Sequence, residues 1–365
     1  MTAVRLSKQA PDRTGDAAAT RAAAALIRAP RLRRRRRYAL VVTVLVVAVL
    51  TVATIAVSVG DLTVSAPDIV RTILGHGTRF TDVLVLQLRL PRVVLAMLAG
   101  AALALSGALF QALLHNALAS PDILGISGGA SVATVLGSLV LGWSGVALSG
   151  LAFGGAVLVA LVIYGLAWDG TVAGNRFVLV GIGVAFMVTA ALGYVLTRAE
   201  VQQAQVALVA LVGGVGDATW TGNAIAAVSL GALLLLAAGA APSLRVLQLG
   251  DDTATGLGVP ADRRRLALLA LAVMFAAVGV AGAGPLAFVA FMSAPIARRL
   301  LRDGSSALVP AALVGALLVL VADLAGQHLI PGGTRLPAGV LTGAIGAPYL
   351  LWLLATRSRT TGGQS

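Results

Sequence analysis

The run Ala39-Leu-Val-Val-Thr-Val-Leu-Val-Val-Ala-Val-Leu-Thr-Val-Ala-Thr-Ile-Ala-Val-Ser-Val59 is 21 residues without a charge, preceded closely by Arg33-Arg-Arg-Arg-Arg37. A helix needs about 20 apolar residues to cross the hydrocarbon core of a bilayer, so this run can span. It is too long for the apolar core of a secretory leader, and no small-residue cleavage site follows it clearly, so it reads as a retained span. The arginines fix its direction, because basic flanks stay on the cytoplasmic side.

The same composition continues outward along the chain. Hydrophobic residues make up 58% and charged residues 11% of the 365, and the mean hydropathy is +0.95. Soluble domains carry about 25% charged residues to cover their surface. That material is missing here, which excludes a soluble enzyme, a secreted disulfide scaffold and a disordered binder. With no cysteine in the chain, thiolate metal sites, catalytic cysteines and disulfides are excluded as well. The net charge of +13 could suggest nucleic acid, but eleven of the 27 basic residues precede Tyr38 and aromatics are only 4%. A membrane anchor fits that clustering, and base stacking does not.

Windows of about 19 residues give apolar stretches at 39–59, 93–113, 123–142, 146–167, 177–197, 223–241, 266–283, 285–301, 307–326 and 338–355. The sequence therefore predicts an all-α polytopic membrane protein of about ten transmembrane helices with both termini cytoplasmic. Segment 203–214 is apolar but too short to cross, and is expected to be re-entrant or interfacial. With this topology 21 basic residues fall inside and six outside, as the positive-inside bias requires. The domain reading is a basic cytoplasmic tail over 1–38, a transmembrane domain over 39–355 with a polar loop near 245–265, and a cytoplasmic tail over 356–365. The Ala-, Arg- and Thr-rich first 30 residues are expected to be disordered.

Several chemistries can be weighed directly. Lys8 is the one lysine, so the Gly-x-x-x-x-Gly-Lys-Ser/Thr nucleotide loop is absent. The chain is not expected to be an enzyme, and any ATP hydrolysis falls to another polypeptide. Gly125-Ile-Ser-Gly128 matches the Gly-x-Ser-Gly of intramembrane serine proteases. That chemistry needs a histidine base at depth, whereas His76, His115 and His328 fall in loops or at span ends, so Ser127 reads as packing or capping. Asp323 is the one clearly intramembrane carboxylate; such a residue is a functional candidate by default, with a structural hydrogen-bond role the blander reading. Gly100 and Gly107 bracket small residues that let helices approach closely.

Three blocks carry a family resemblance. The first is Leu88-Arg-Leu-Pro-Arg92, then Gly100-Ala-Ala-Leu-Ala-Leu-Ser-Gly-Ala-Leu-Phe-Gln111 and His115-Asn-Ala-Leu-Ala-Ser-Pro-Asp-Ile-Leu-Gly-Ile-Ser-Gly-Gly-Ala-Ser131. The second is Leu249-Gly-Asp-Asp-Thr-Ala-Thr-Gly-Leu-Gly258 with Arg263 to Arg265. The third runs from Gly284-Pro-Leu-Ala-Phe through Pro295-Ile-Ala-Arg298 and Ala322-Asp323 to Leu336-Pro-Ala-Gly-Val-Leu-Thr-Gly-Ala-Ile-Gly-Ala-Pro348. In this order they resemble the FecCD-type permeases, membrane subunits of bacterial ABC importers for ferric siderophores, haem and cobalamin, over about residues 40–355.

The resemblance implies a second permease subunit, identical or paralogous, two cytoplasmic ATPase subunits that use the ATP, and an extracytoplasmic binding protein. It implies location in the bacterial cytoplasmic membrane and no cofactor or metal bound by this chain. Leu249, Gly250, Asp251, Asp252, Ala254, Leu257 and Gly258 match the segment that couples to the ATPase. Arg89 and Arg92 match arginines that meet acidic residues of the binding protein. Gly100, Gly107, Gln111, Ser127 and Asp323 fall to the translocation path or to helix packing, the path being expected near 93–113, 123–142, 177–197 and 285–301. Ferric siderophores are the expected cargo, with cobalamin or haem as the alternative and a secondary carrier as a remote one. The chain departs from the family pattern at Ala117, Ile296, Gln327 and Arg335, and Arg335 is expected to join the docking surface in place of the missing arginine.

Overall fold

The computed structural model describes residues 13–60, 62–168, 174–302, 307–328 and 335–361. Among these, regular structure is helical throughout. The first helix, α1, covers Arg13–Ser58, followed by α2 (Ala66–Ile73) and α3 (Arg79–Thr81). A π-helical stretch, Asp82–Arg89, leads into α4 (Leu90–Leu113). Pro91 has no N–H to give the preceding turn, and a widened turn relieves its ring of a clash with the carbonyl behind it. Next come α5 (Ile126–Leu139), α6 (Gly145–Ala167), α7 (Gly174–Arg198), α8 (Val201–Val212) and α9 (Trp220–Leu247). A six-residue α10 (Asp251–Gly256) precedes α11 (Ala261–Ala283), α12 (Val289–Leu301), α13 (Leu308–His328) and α14 (Ala338–Thr361).

All ten apolar stretches are helical, but eight helices among the described residues are long and apolar enough to cross a membrane. The helices α5 and α12 have 14 and 13 residues, about 20 Å at 1.5 Å per residue, short of a core about 30 Å thick. The expected count of about ten thus comprises eight long helices and two short ones, α5 and α12. Helicity also begins at Arg13, inside the segment expected to be disordered; residues 1–12 lie outside the described residues.

Contacts sort the helix ends into two groups. At one end Arg89 bonds carbonyls at the close of α1, Asn223 of α9 donates to Pro91 O of α4, and Arg92 meets Asp323 of α13. At the other, Arg37 of α1 donates to Leu300 O of α12, Arg298 reaches Gln111 of α4, and Arg299 lies over Trp352 of α14. The second end also holds α10 beside Arg265, and its concentration of arginine marks it as cytoplasmic. Following the chain between these ends gives ten crossings, two of them completed by irregular backbone at 114–125 and 284–288. The helix α8 starts beside Ser138 and Leu139 of α5 and ends where Gly214 N–H donates to Ala283 O and Gly339 N–H to Gly213 O. It stays at the outer end, as its length predicts, and does not reverse the topology.

The centre of the bundle is α4, packed among α9, α11, α12 and α13. Ala96, Ala102, Ala104 and Phe110 are fully buried. Close backbone approach explains its glycines: a Cβ at Gly100 would overlap Gly315 O of α13, and one at Gly107 would overlap Ala290 O of α12. Both positions therefore serve helix packing. With 78% of the apolar window of Arg79–Leu113 buried, α4 is largely enclosed by its own subunit. Gly107→Ala is expected to lower stability by about 1–3 kcal/mol through overpacking, read as an earlier thermal unfolding of detergent-solubilised protein.

Candidate functional site

Two ends of the bundle carry the polar chemistry, and each is built by a different part of the chain. At the outer end, Arg89 sits where the π-helical stretch passes into α4 and donates to Val57 O at 2.7 Å, Ser58 O at 3.1 Å and Leu62 O at 2.5 Å. These carbonyls lie at the close of α1 and just beyond it, where a cation is stabilised by the helix C-terminus; Ser58 O also accepts from Val64 N–H. One turn on, Arg92 Nε donates to Asp323 Oδ2 at 2.9 Å and Nη2 to Oδ1 at 2.7 Å. Their side chains are 18% and 4% exposed. Gln327 Nε2 completes the cluster, donating to Asp323 Oδ2 at 2.8 Å.

Within the chain Arg89 caps α1 and Arg92 pins α4 to α13, and both remain partly exposed. Asp323 is held by three donors of its own chain, and Gln327 occupies the place where the family pattern has an arginine. Arg335 is exposed just before α14, at the outer end, together with Arg79 and Arg198.

Midway through the bundle the two irregular crossings meet. Ser127 Oγ donates to Asp122 Oδ1 at 2.5 Å, and the same carboxylate lies against the Phe288 backbone N–H. Gly125 and Gly284 take φ of 79° and 69°, the left-handed turns that stop the chain continuing as helix. Irregular backbone at membrane depth is tolerated where protein buries it or a cavity receives it. Ser127 thus joins Asp122, a residue that sequence reading did not single out although Pro121-Asp122 and Gly284-Pro285 marked both interruptions. A serine whose partner is this carboxylate gives no support to a protease. Interrupted helices in both halves are a carrier-like feature that hydropathy did not show.

At the cytoplasmic end, α10 is the site's most defined element. Gly250 enters it with φ 102° and Gly258 leaves it with φ 78°. Its exit is a Schellman turn, with Val259 N–H donating to Ala254 O and Gly258 N–H to Thr255 O. Asp251 accepts from Arg265 Nη1 at 2.8 Å and also from Nη2, so α10 is clasped to α11. Ala254 is fully buried, while Leu249 and Leu257 are 64% and 61% exposed. Asp252 is exposed beside them. A six-residue helix fixed from behind thus shows two leucines and a carboxylate to the cell interior. Nearby, Gln111 Nε2 donates to Phe291 O at 3.0 Å and its carbonyl accepts from Arg298, joining α4 to α12.

A polytopic helical bundle of apolar spans, clasped by charge at its outer end and carrying a short polar helix at its arginine-rich end, has the architecture of a membrane permease. Residues 44–356 match the FecCD transport family, and the chain belongs to that family. It is 41% identical over 307 residues to the achromobactin transport system permease protein CbrC of Dickeya dadantii (strain 3937), covering 82% of this chain and 86% of that one. It is 36% identical over 300 residues to the ferric enterobactin transport system permease protein FepG of Escherichia coli (strain K12), covering 82% and 91%. Among solved structures, one described as a metal-chelate type ABC transporter in an inward-facing conformation superposes with a TM-score of 0.76. At 22% identity, over 86% of this chain and 98% of that one, it shows the fold. Family membership outweighs the carrier-like interruptions.

Proposed function

We propose that this chain forms, with a second permease copy or paralogue, the membrane channel of an ATP-driven importer for ferric siderophores. Two ATPase subunits seat on α10, and their closure on ATP rocks the paired permeases between outward-open and inward-open states. The observation that carries this reading is α10: a short, rigidly clasped helix displaying Leu249, Leu257 and Asp252 on the arginine-rich end. An apolar pair with a flanking carboxylate suits a groove in a soluble partner, and the clasp transmits motion to α11 without slack. The siderophore cargo is supported by the names of the relatives, and small apolar side chains along the spans suit a bulky chelate better than a bare ion, which needs oxygen ligands.

The test is uptake of radioactive iron as defined siderophore complexes by a deletion strain carrying this chain with and without its ATPase. Uptake that persists without the ATPase would refute the reading. Docking of the binding protein falls to the exposed outer arginines, Arg335 first. Arg335→Glu is expected to slow capture of the binding protein about tenfold, since rim charges act chiefly on association rate. Surface binding kinetics check this, and an unchanged on-rate removes Arg335 from the footprint.

A further inference from the structure

Where the two interrupted crossings meet, Phe288 has an uncommon backbone. It caps the N-terminus of α12 at φ 63°, and its side chain makes no capping hydrogen bond. Helix caps are usually Ser, Thr, Asp or Asn in an extended conformation, and a bulky residue in the left-handed region is strained. Such a residue stays put only where its surroundings hold it. Met292 N–H donates to Phe288 O at 2.9 Å to begin α12, and the ring meets Phe291 edge-on with 6.1 Å between centroids. From the other interruption, the Asp122 carboxylate lies against the Phe288 N–H.

The remaining contact of Phe288 is with α14. A Cβ at Gly346 would stand 2.3 Å from Phe288 Cβ and 2.4 Å from its Cγ, so the phenylalanine occupies the space that this glycine leaves. Two turns earlier, Gly339 admits Val212 O in the same way, and its N–H donates to Gly213 O. The helix α14 is thus seated on its own chain at Gly339, at the outer end, and at Gly346, further in. The second seat is only as fixed as the turn at Phe288, and Asp122 holds that turn at its N–H. Ser127 orients the carboxylate in turn, donating to Oδ1 at 2.5 Å.

We propose that Asp122 is a positioning residue for transport, acting through the Phe288 turn to fix the stance of α14 on α12; this role rests on the importer reading above. Close-packed elements shift between discrete arrangements and do not deform continuously. The contacts from Asp122 through Phe288 to Gly346 join the irregular backbone after α4 to the last helix. With the turn held, α12 and the middle of α14 shift as one body when the permease changes state. With the carboxylate removed, the strained turn relaxes and the middle of α14 no longer follows α12. ATP is then hydrolysed without a matching movement of cargo.

Proteoliposomes holding the complete transporter, with its ATPase and binding protein, test this through the iron carried per ATP hydrolysed. The wild type is measured first: failure to take up any ferric siderophore with ATP refutes the importer reading itself, before any variant is compared. In a competent transporter, Asp122→Ala should lower iron per ATP about tenfold, the factor that loss of one buried hydrogen bond represents, while ATP hydrolysis continues. Asp122→Asn keeps an oxygen for the same donors and should retain most of the coupling. Phe288→Gly takes the left-handed turn without strain but removes the seat for α14, so it should fold, hydrolyse ATP and still uncouple. Gly346→Ala overlaps Phe288 and should uncouple as well. Combined with Phe288→Gly, it returns bulk to the joint from the other side and should restore part of the loss. If Asp122→Ala does not fold, the Phe288 and Gly346 variants decide. Full coupling in Phe288→Gly, a double variant no better than either single one, or Asp122→Asn as uncoupled as Asp122→Ala would overturn the proposal.

Discussion

Asp323→Ala is expected to cost about 3–5 kcal/mol of stability, because it leaves the Arg92 guanidinium charged and largely buried without its counter-ion. Asp323 is 4% exposed in this pair and joins α4 to α13 across 231 residues of sequence. Gln327 would lose its carboxylate acceptor and keep only the long bond to the Asp323 backbone carbonyl. Removing both charges tells a structural clasp from a docking residue. The pair Asp323→Leu with Arg92→Met should recover most of the loss, since well-packed apolar replacements of a buried ion pair are often neutral. Denaturation of the purified chain in detergent reads both effects. If Asp323→Ala unfolds like the wild type, the clasp is not what holds these helices together.

Leu249→Asp with Leu257→Asp is the second large effect. Both side chains are more than half exposed while Ala254 beneath them is fully buried, so neither leucine supports the fold of the free subunit. Burying a leucine contributes about 1.5–3 kcal/mol, and losing two should weaken association with the ATPase at least about 100-fold. Iron uptake should fall to background while the melting temperature of the isolated permease stays put. Asp251→Ala should behave differently: it frees α10 from Arg265, so the ATPase still binds but drives transport poorly. An unimpaired transporter carrying both aspartates would place the contact elsewhere.

Much of the architecture was legible because hydropathy reports burial in lipid directly. The run Ala39–Val59, the ten apolar stretches and the arginine bias all became helices with the expected direction, and the polar break at Leu249 to Gly258 became α10. What escaped has a common cause: composition does not encode backbone interruption or distant partners. Residues 123–142 and 285–301 are apolar throughout, yet Gly125 and Gly284 turn left-handed and shorten α5 and α12. Arg92 and Asp323 were both visible as unusual residues, but their contact depends on how α4 and α13 pack, which Gly100 and Gly315 set by letting the backbones touch. Arg89 was readable as an outer-face cation, whereas its role as a cap for α1 follows from the chain doubling back through α2 and α3. Arg298, Arg299 and Arg302 entered only as part of the cytoplasmic basic count, and it is the position of α14 that brings them around one cavity.

The absence of native cysteine makes one measurement unusually clean. In Leu257→Cys, a membrane-impermeant maleimide reports which face of the membrane holds α10 and what covers it. The thiol should react in inverted vesicles, stay unreactive in right-side-out vesicles, and become protected once the ATPase subunits are added. Labelling from the outside, or full reactivity beneath bound ATPase, would contradict an importer that draws its force through this helix.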